Sequence, residues 1–209
     1  MKVWALIQKT LETQGSCALV SIVETQGSAP RDSGAHMIVT EEGYHGSIGG
    51  GALEWRAIAQ AQAMLNRGPA VKQTTHALGP ELGQCCGGRV SLLTEVFDKK
   101  SLAEAQLLAE VEKAGPFLVE SVIGEESIGR HILPSPLAGE GGAQRRMRGL
   151  SQRAPLADHF AETAPSSVSR QEARATFPRE GGRQRMIESF GEERRSVLLY
   201  GAGHVGRAL

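Results

Sequence analysis

The 209-residue sequence has no excess of either charge: 23 basic residues balance 23 acidic ones. Nothing in that balance resembles the basic footprint of a nucleic-acid-binding protein. Long apolar runs are also missing, which excludes a membrane-spanning helix. The opening stretch, MKVWALIQKTLETQG, is not an export signal, because Gln8 and Lys9 interrupt apolar residues set at helical spacing. Cysteines number only three, and without an export signal they read as reduced thiols in a cytoplasm. Aromatic residues are scarce at 4 %.

The chain does have 26 glycines, a hydrophobic fraction of 40 %, and enough length for one good core or for one domain plus part of another. Residues 1–133 read as one α/β unit. The spacing of Val3, Trp4, Leu6, Ile7 and Leu11 predicts an amphipathic helix over 3–13, ended by Gly15. CALVSIVET (17–25) and AHMIVT (35–40) predict strands around the turn-rich GSAPRDSG, and EEGYHG predicts a hairpin connection. GSIGGG (46–51) leads into a helix that stops at Gly68-Pro69. VKQTTHAL and RVSLLTEVF read as strands flanking a loop that contains Cys85 and Cys86. SLAEAQLLAEVEKAG reads as a helix, with Ser101 as N-cap and Glu104 completing a capping box. Two short strands, FLVESVI and SIGRHIL, close the unit.

Residues 134–186 differ in texture. They carry nine arginines, no lysine and five acidic residues among scattered Pro, Gly and Ser, and apolar periodicity is lost. EGGAQRRM (140–147) returns as EGGRQRM (180–186). This composition predicts a disordered linker. An arginine-rich nucleic-acid arm fits less well, given the interleaved acids and the scarcity of aromatic stacking residues. PSPLAGEGG resembles a translated bacterial repeat element, which suggests an insertion. Residues 187–209 then contain SVLLYGAGHVGRAL, an apolar strand followed by Gly201, Gly203 and Gly206 in G-x-G-x-x-G spacing. This pattern brings backbone close to a pyrophosphate at a helix N-terminus. The sequence stops within the first turns of that helix, so a vestigial motif is expected rather than a working NAD(P) site.

Three loops of the first unit are candidates for chemistry. Consecutive backbone N–H groups at Gly49, Gly50 and Gly51 could form a phosphate nest, or simply a tight turn where backbone passes close to backbone. Arg31 could clamp a phosphate, or pair with Asp32 or another carboxylate. Cys17, within an apolar strand, reads as a small buried hydrophobe. Cys85 and Cys86 lie between Gln84 and Gly87-Gly88. A disulfide between neighbours is strained, and a structural zinc site lacks two further ligands. His36, His45 and His76 stand singly on strands or turns and read as structural. An accessible thiolate able to bind a soft metal or sulfur species remains, beside the alternative of buried filler.

Taken together, ETQGSAPRDSGAHMIVT, GYHGSIGGGALEWRAIAQAQ, LGPELGQCCGGRVSLLTEVF and LLYGAGHVGRAL resemble the XdhC group of the XdhC/CoxI family. The resemblance covers residues 1 to about 133 and about 187 to 209. It implies an XdhC-type α/β domain at 1–133, an inserted linker at 134–186, and the first strand and helix start of a truncated Rossmann-like domain at 187–209. The implied role is that of a maturation factor without turnover chemistry. Such a factor binds the molybdenum cofactor (molybdopterin) as cargo, protects it during sulfuration and delivers it to apo xanthine dehydrogenase. The implied partners are that apo-enzyme, a cysteine desulfurase as sulfur donor and the cofactor-biosynthesis proteins; self-association into a homo-oligomer is left open. The resemblance carries cofactor contact to Cys86 first and Cys85 second, metal contact to Cys86, and phosphate contact to Arg31 and Gly49 to Gly51. Two alternatives stand beside it: a nucleotide-dependent oxidoreductase-like protein, and a non-functional truncated remnant.

Overall fold

The computed structural model describes residues 1–79, 87–124, 128–133, 176–180 and 183–191, with side chains described from residue 185 in the last segment. A five-stranded antiparallel sheet forms the centre. Its strands are β1 (Ser16–Gln26), β2 (His36–Val39), β3 (Tyr44–Gly46), β4 (Val71–Ala77) and β5 (Arg89–Asp98), in the order β3-β2-β1-β5-β4. β1 lies between β2 and β5 with both of its faces covered, which explains why CALVSIV is apolar almost throughout: Cys17 to Val23 are all buried.

Alternation along β1 sorts its side chains between two cores. Ala18, Val20 and Ile22 meet the buried face of α2 (Gly51–Leu65), formed by Leu53, Ala57, Ile58, Ala61, Met64 and Leu65. Cys17 and Leu19 point to the opposite face, where α1 (Val3–Thr13) and α3 (Leu102–Ala114) pack. Trp4 is the largest side chain buried there, with its indole edge-on to Phe97 at 6.0 Å. Gly15, at φ 86°, supplies the left-handed residue that ends α1, as expected.

Both helix starts on this face depart from the local rules. Lys2 provides no side-chain cap for α1. Instead Glu112, on α3, accepts hydrogen bonds from the N–H groups of Val3 (2.8 Å) and Ala5 (3.0 Å), and is 1 % exposed. A carboxylate at a helix N-terminus meets both the orphan donors and the positive end of the dipole. Ser101 does not cap α3 through its side chain, so the expected capping box does not form. A 3₁₀ turn, Lys99–Ser101, precedes α3, and Asp98 caps that turn by accepting from the N–H of Lys100. Glu104 turns instead to Arg130.

A second antiparallel sheet lies over this face, with strands β6 (Phe117–Ile123), β7 (Ile128–Leu133), β8 (Thr176–Glu180) and β9 (Arg183–Phe190) in the order β7-β6-β9-β8. β8 and the start of β9 fall within the expected linker 134–186, and the expected boundary at 186/187 cuts through β9. The physical reason is a strand alternation hidden by arginines. Met186, Glu188 and Phe190 stand opposite Ser121, Val119 and Phe117 of β6, facing the space between the sheets, while exposed Arg185 pairs with Glu120 at 3.4 Å. The remainder of 134–186 and residues 192–209, with Gly201, Gly203 and Gly206, lie outside the described residues.

Candidate functional site

The strand ends gather three loops at one end of the central sheet. Gln26, at the end of β1, pairs with Arg89 at the start of β5, which also pairs with Ala77 at the end of β4. The GSAPRDSG loop therefore leaves the sheet beside the segment that links β4 to β5. The contact is close: a Cβ on Gly88 would lie 2.3 Å from the Ser28 carbonyl oxygen and 2.5 Å from that of Gln26. Two hydrogen bonds hold this junction, from the N–H of Gly88 to the Ser28 carbonyl (3.1 Å) and from the N–H of Leu78 to the Gly88 carbonyl (2.7 Å). Only glycine fits at residue 88.

The third loop joins from the other side. Gly46 ends β3, and residues 47–50 lead into α2. Gly49, at φ 126°, lies under Pro30, whose Cγ would be 2.6 Å from an added Cβ, with Arg31 Cγ at 3.7 Å. The glycines of GSIGGG thus serve close approach to the GSAPRDSG loop as well as a tight turn.

The expected phosphate nest is built differently. Glu54, one turn into α2, folds its carboxylate back into the loop. Its Oε2 accepts from the N–H groups of Ile48 (3.0 Å) and Gly50 (3.1 Å) and from Ser47 Oγ (2.7 Å). The N–H of Gly49 donates to Ser47 Oγ at 3.1 Å. The loop is already an anion nest, and its anion is a carboxylate of the same chain. Gly51, exposed, opens the helix.

Arg31 is exposed and forms no ion pair among the described residues; the alternative pairing with Asp32 is absent there. Cys85 and Cys86 lie outside the described residues, between Gly79 and exposed Gly87. Cys17 is fully buried, and its thiol is pushed up to about 12 by burial and by nearby Glu95. It is an inert core group. His45 is exposed on β3. His76, on β4, hydrogen-bonds Thr74 at 3.0 Å, and burial together with Arg56 lowers its pKa. Among the described residues, no group of three His, Cys, Asp or Glu side chains is placed to hold a metal, and no helix is long and apolar enough to cross a membrane.

Periodicity did not reveal a buried polar cluster between the two sheets. Arg130, on β7, pairs with Glu95 on β5 and with Glu104 at 3.2 Å, and its guanidinium stands 5.0 Å from the Trp4 ring. Burial alone would lower the Arg130 pKa, but the two carboxylates outweigh it and raise it. Glu188, on β9, lies 3.8 Å from Nε2 of His36, whose Nδ1 meets Ser21 Oγ at 3.0 Å. His36 also stacks on Phe190 at 5.2 Å. Burial drives the Glu188 carboxyl up to about 7, with Arg130 opposing and Glu95 adding to the rise. Polar residues within otherwise apolar strand runs or faces (Ser21, Glu95, Ser121, Glu188) were the available signal.

The model of the XdhC and CoxI family matches residues 10–75, a span that includes Arg31 and the GSIGGG loop and ends before the cysteine pair. No curated protein matches this chain. Among solved structures, the crystal structure of a protein described as a xanthine dehydrogenase from Bacillus halodurans is similar, with a TM-score of 0.55 at 21 % sequence identity. The likeness covers 65 % of this chain and 43 % of that one, so this chain spans less than half the length of its solved relative. At that identity the likeness speaks for fold. With the family match over 10–75, the N-terminal α/β unit of this chain is similar to the XdhC and CoxI family.

Proposed function

We propose that this chain serves xanthine dehydrogenase maturation by binding the molybdenum cofactor as cargo at the loop cluster. In this reading the chain holds the cofactor while a cysteine desulfurase supplies its terminal sulfur, then passes it to the apo-enzyme in the cytoplasm. Cofactor-biosynthesis proteins are the upstream partners, and the chain itself performs no turnover. The observation that carries the reading is the meeting of three loops at one end of the central sheet, with Arg31 exposed and unpaired among the described residues.

The chemistry of the cargo suits these residues in different ways. Its phosphate calls for a cation without a prior partner, and Arg31 forms no ion pair among the described residues. Its molybdenum–sulfur unit suits a thiolate, and the sequence supplies Cys86, with Cys85 beside it, directly before Gly87. Because Glu54 fills the glycine nest, Gly49 and Gly50 contribute by shaping the loop, and the phosphate role falls to Arg31 with Gly51 at the helix start.

The test is co-expression of the full chain with the molybdenum-cofactor pathway, followed by purification, oxidative release of bound pterin and fluorescence assay. Retention of pterin in near-stoichiometric amount is expected. Background pterin alone, or tight NAD(P) binding in its place, would overturn the reading.

A further inference from the structure

The chain has two tryptophans. Trp4 is 1 % exposed in the core, but Trp55 is 68 % exposed on α2, four residues after Gly51. Four residues of helix rise about 6 Å, and helical Cα–Cβ bonds tilt towards the N-terminus. A side chain at position 55 therefore covers the turn that precedes it. On that face the positions four and three residues before Trp55 are Gly51 and Ala52, and Gly49 and Gly50 precede the helix. No side chain larger than a methyl group stands on this face, since Leu53 is buried and Glu54 folds its carboxylate back into the loop. Its far end is the Gly49 contact with Pro30 and Arg31.

We infer that Trp55 is the stacking surface for a planar heteroaromatic ring whose anionic tail is held by Arg31. The inference rests on the proposed cargo reading, and it assigns that cargo's pterin ring to a position. The glycine-alanine stretch forms a bare shelf, with a cation at one end and an indole face at the other. A flat ring with an anionic arm fits that surface, and the fit needs none of the backbone donors that Glu54 occupies. Stacking of a base on an aromatic side chain is sequence-tolerant and survives on an exposed surface, because every such ring has a π-face. Since Trp55 leaves so much of its surface in water, its replacement should not disturb folding.

The test titrates the full chain with a 6-substituted pterin phosphate and, separately, with inorganic phosphate, following tryptophan emission and equilibrium dialysis. Pterin phosphate should quench the wild-type emission. Trp55→Leu should weaken its binding by about tenfold or more, the scale of one stacked ring. Trp55→Phe should retain most of the affinity, and inorganic phosphate should bind all three proteins alike. Equal affinity of wild type and Trp55→Leu for pterin phosphate would overturn the inference while leaving the cargo reading in place. Absence of pterin binding by the wild type would remove both. If Trp55→Leu bound pterin phosphate normally but lost capture of the apo-hydroxylase, Trp55 would be a protein contact and the inference would fall.

Discussion

Arg130 on β7 reaches across the space between the two sheets to pair with Glu95 on β5, enclosed by the rings of Trp4 and Phe97. Breaking such a buried pair from one side leaves an uncompensated charge, at a cost of about 3–5 kcal/mol. Arg130→Met should therefore destabilise the chain by that amount in denaturant unfolding at pH 7. Arg130→Met with Glu95→Leu should recover most of the loss, since neither charge is then stranded. A single-variant change below about 1 kcal/mol would show that the pair does not hold the sheets together.

Glu188 sets a pH dependence of definite sign. Its carboxyl, raised by burial to about 7, sits above its ordinary unfolded value. Between that ordinary value and about 7 the folded state binds the extra proton, so stability falls as pH rises through this window. The slope contributed by this one group is at most about 1.4 kcal/mol per pH unit. Glu188→Gln, which mimics the neutral form, should flatten the fall. An unchanged pH profile in Glu188→Gln would contradict the assignment.

Glu54 should behave as an internal anion. Glu54→Ala leaves the N–H groups of Ile48 and Gly50 without their acceptor, at about 1–3 kcal/mol for the buried Ile48 donor and less for the half-buried Gly50 donor. The thermal midpoint should drop, and millimolar formate should restore part of it in the variant but not in the wild type. Lack of selective rescue would mean that the loop does not recognise a carboxylate.

The two glycines after the cysteine pair should differ sharply. An added Cβ at Gly88 would strike the Ser28 and Gln26 carbonyl oxygens, whereas one at Gly87 would meet nothing within 4 Å. Gly88→Ala should lower the thermal midpoint and loosen the junction between the β4–β5 segment and the GSAPRDSG loop. Gly87→Ala should leave the midpoint within about a degree, as surface changes away from special features do. Similar effects at both positions would argue against the close approach.

The elements of the first 133 residues were largely legible, because glycine turns and apolar spacing act locally. Val3, Trp4, Ile7 and Leu11 mark α1, and the turn at Gly15 ends it. Partners supplied from distant sequence were not legible. Glu112 caps a helix more than a hundred residues away, and Glu54 looks like any helix-forming residue until its carboxylate is seen in the loop. β9 was hidden for a related reason: its inward residues Met186, Glu188 and Phe190 include a carboxyl group whose burial beside His36 depends on elements distant in sequence. The meeting of the three loops follows from strand order, which no single motif encodes. Cys85, Cys86, Gly201, Gly203 and Gly206 fall outside the described residues, so their assignment rests on the family resemblance.

The cargo reading is tested most directly by the pterin content of Cys86→Ala and Cys17→Ala proteins purified after co-expression with the cofactor pathway. Cys17 is buried with an unreactive thiol, so Cys17→Ala should keep the wild-type content. Cys86→Ala should lose most of it. Equal retention by the two variants would contradict the assignment of the cargo's metal–sulfur unit to the Cys86 thiol.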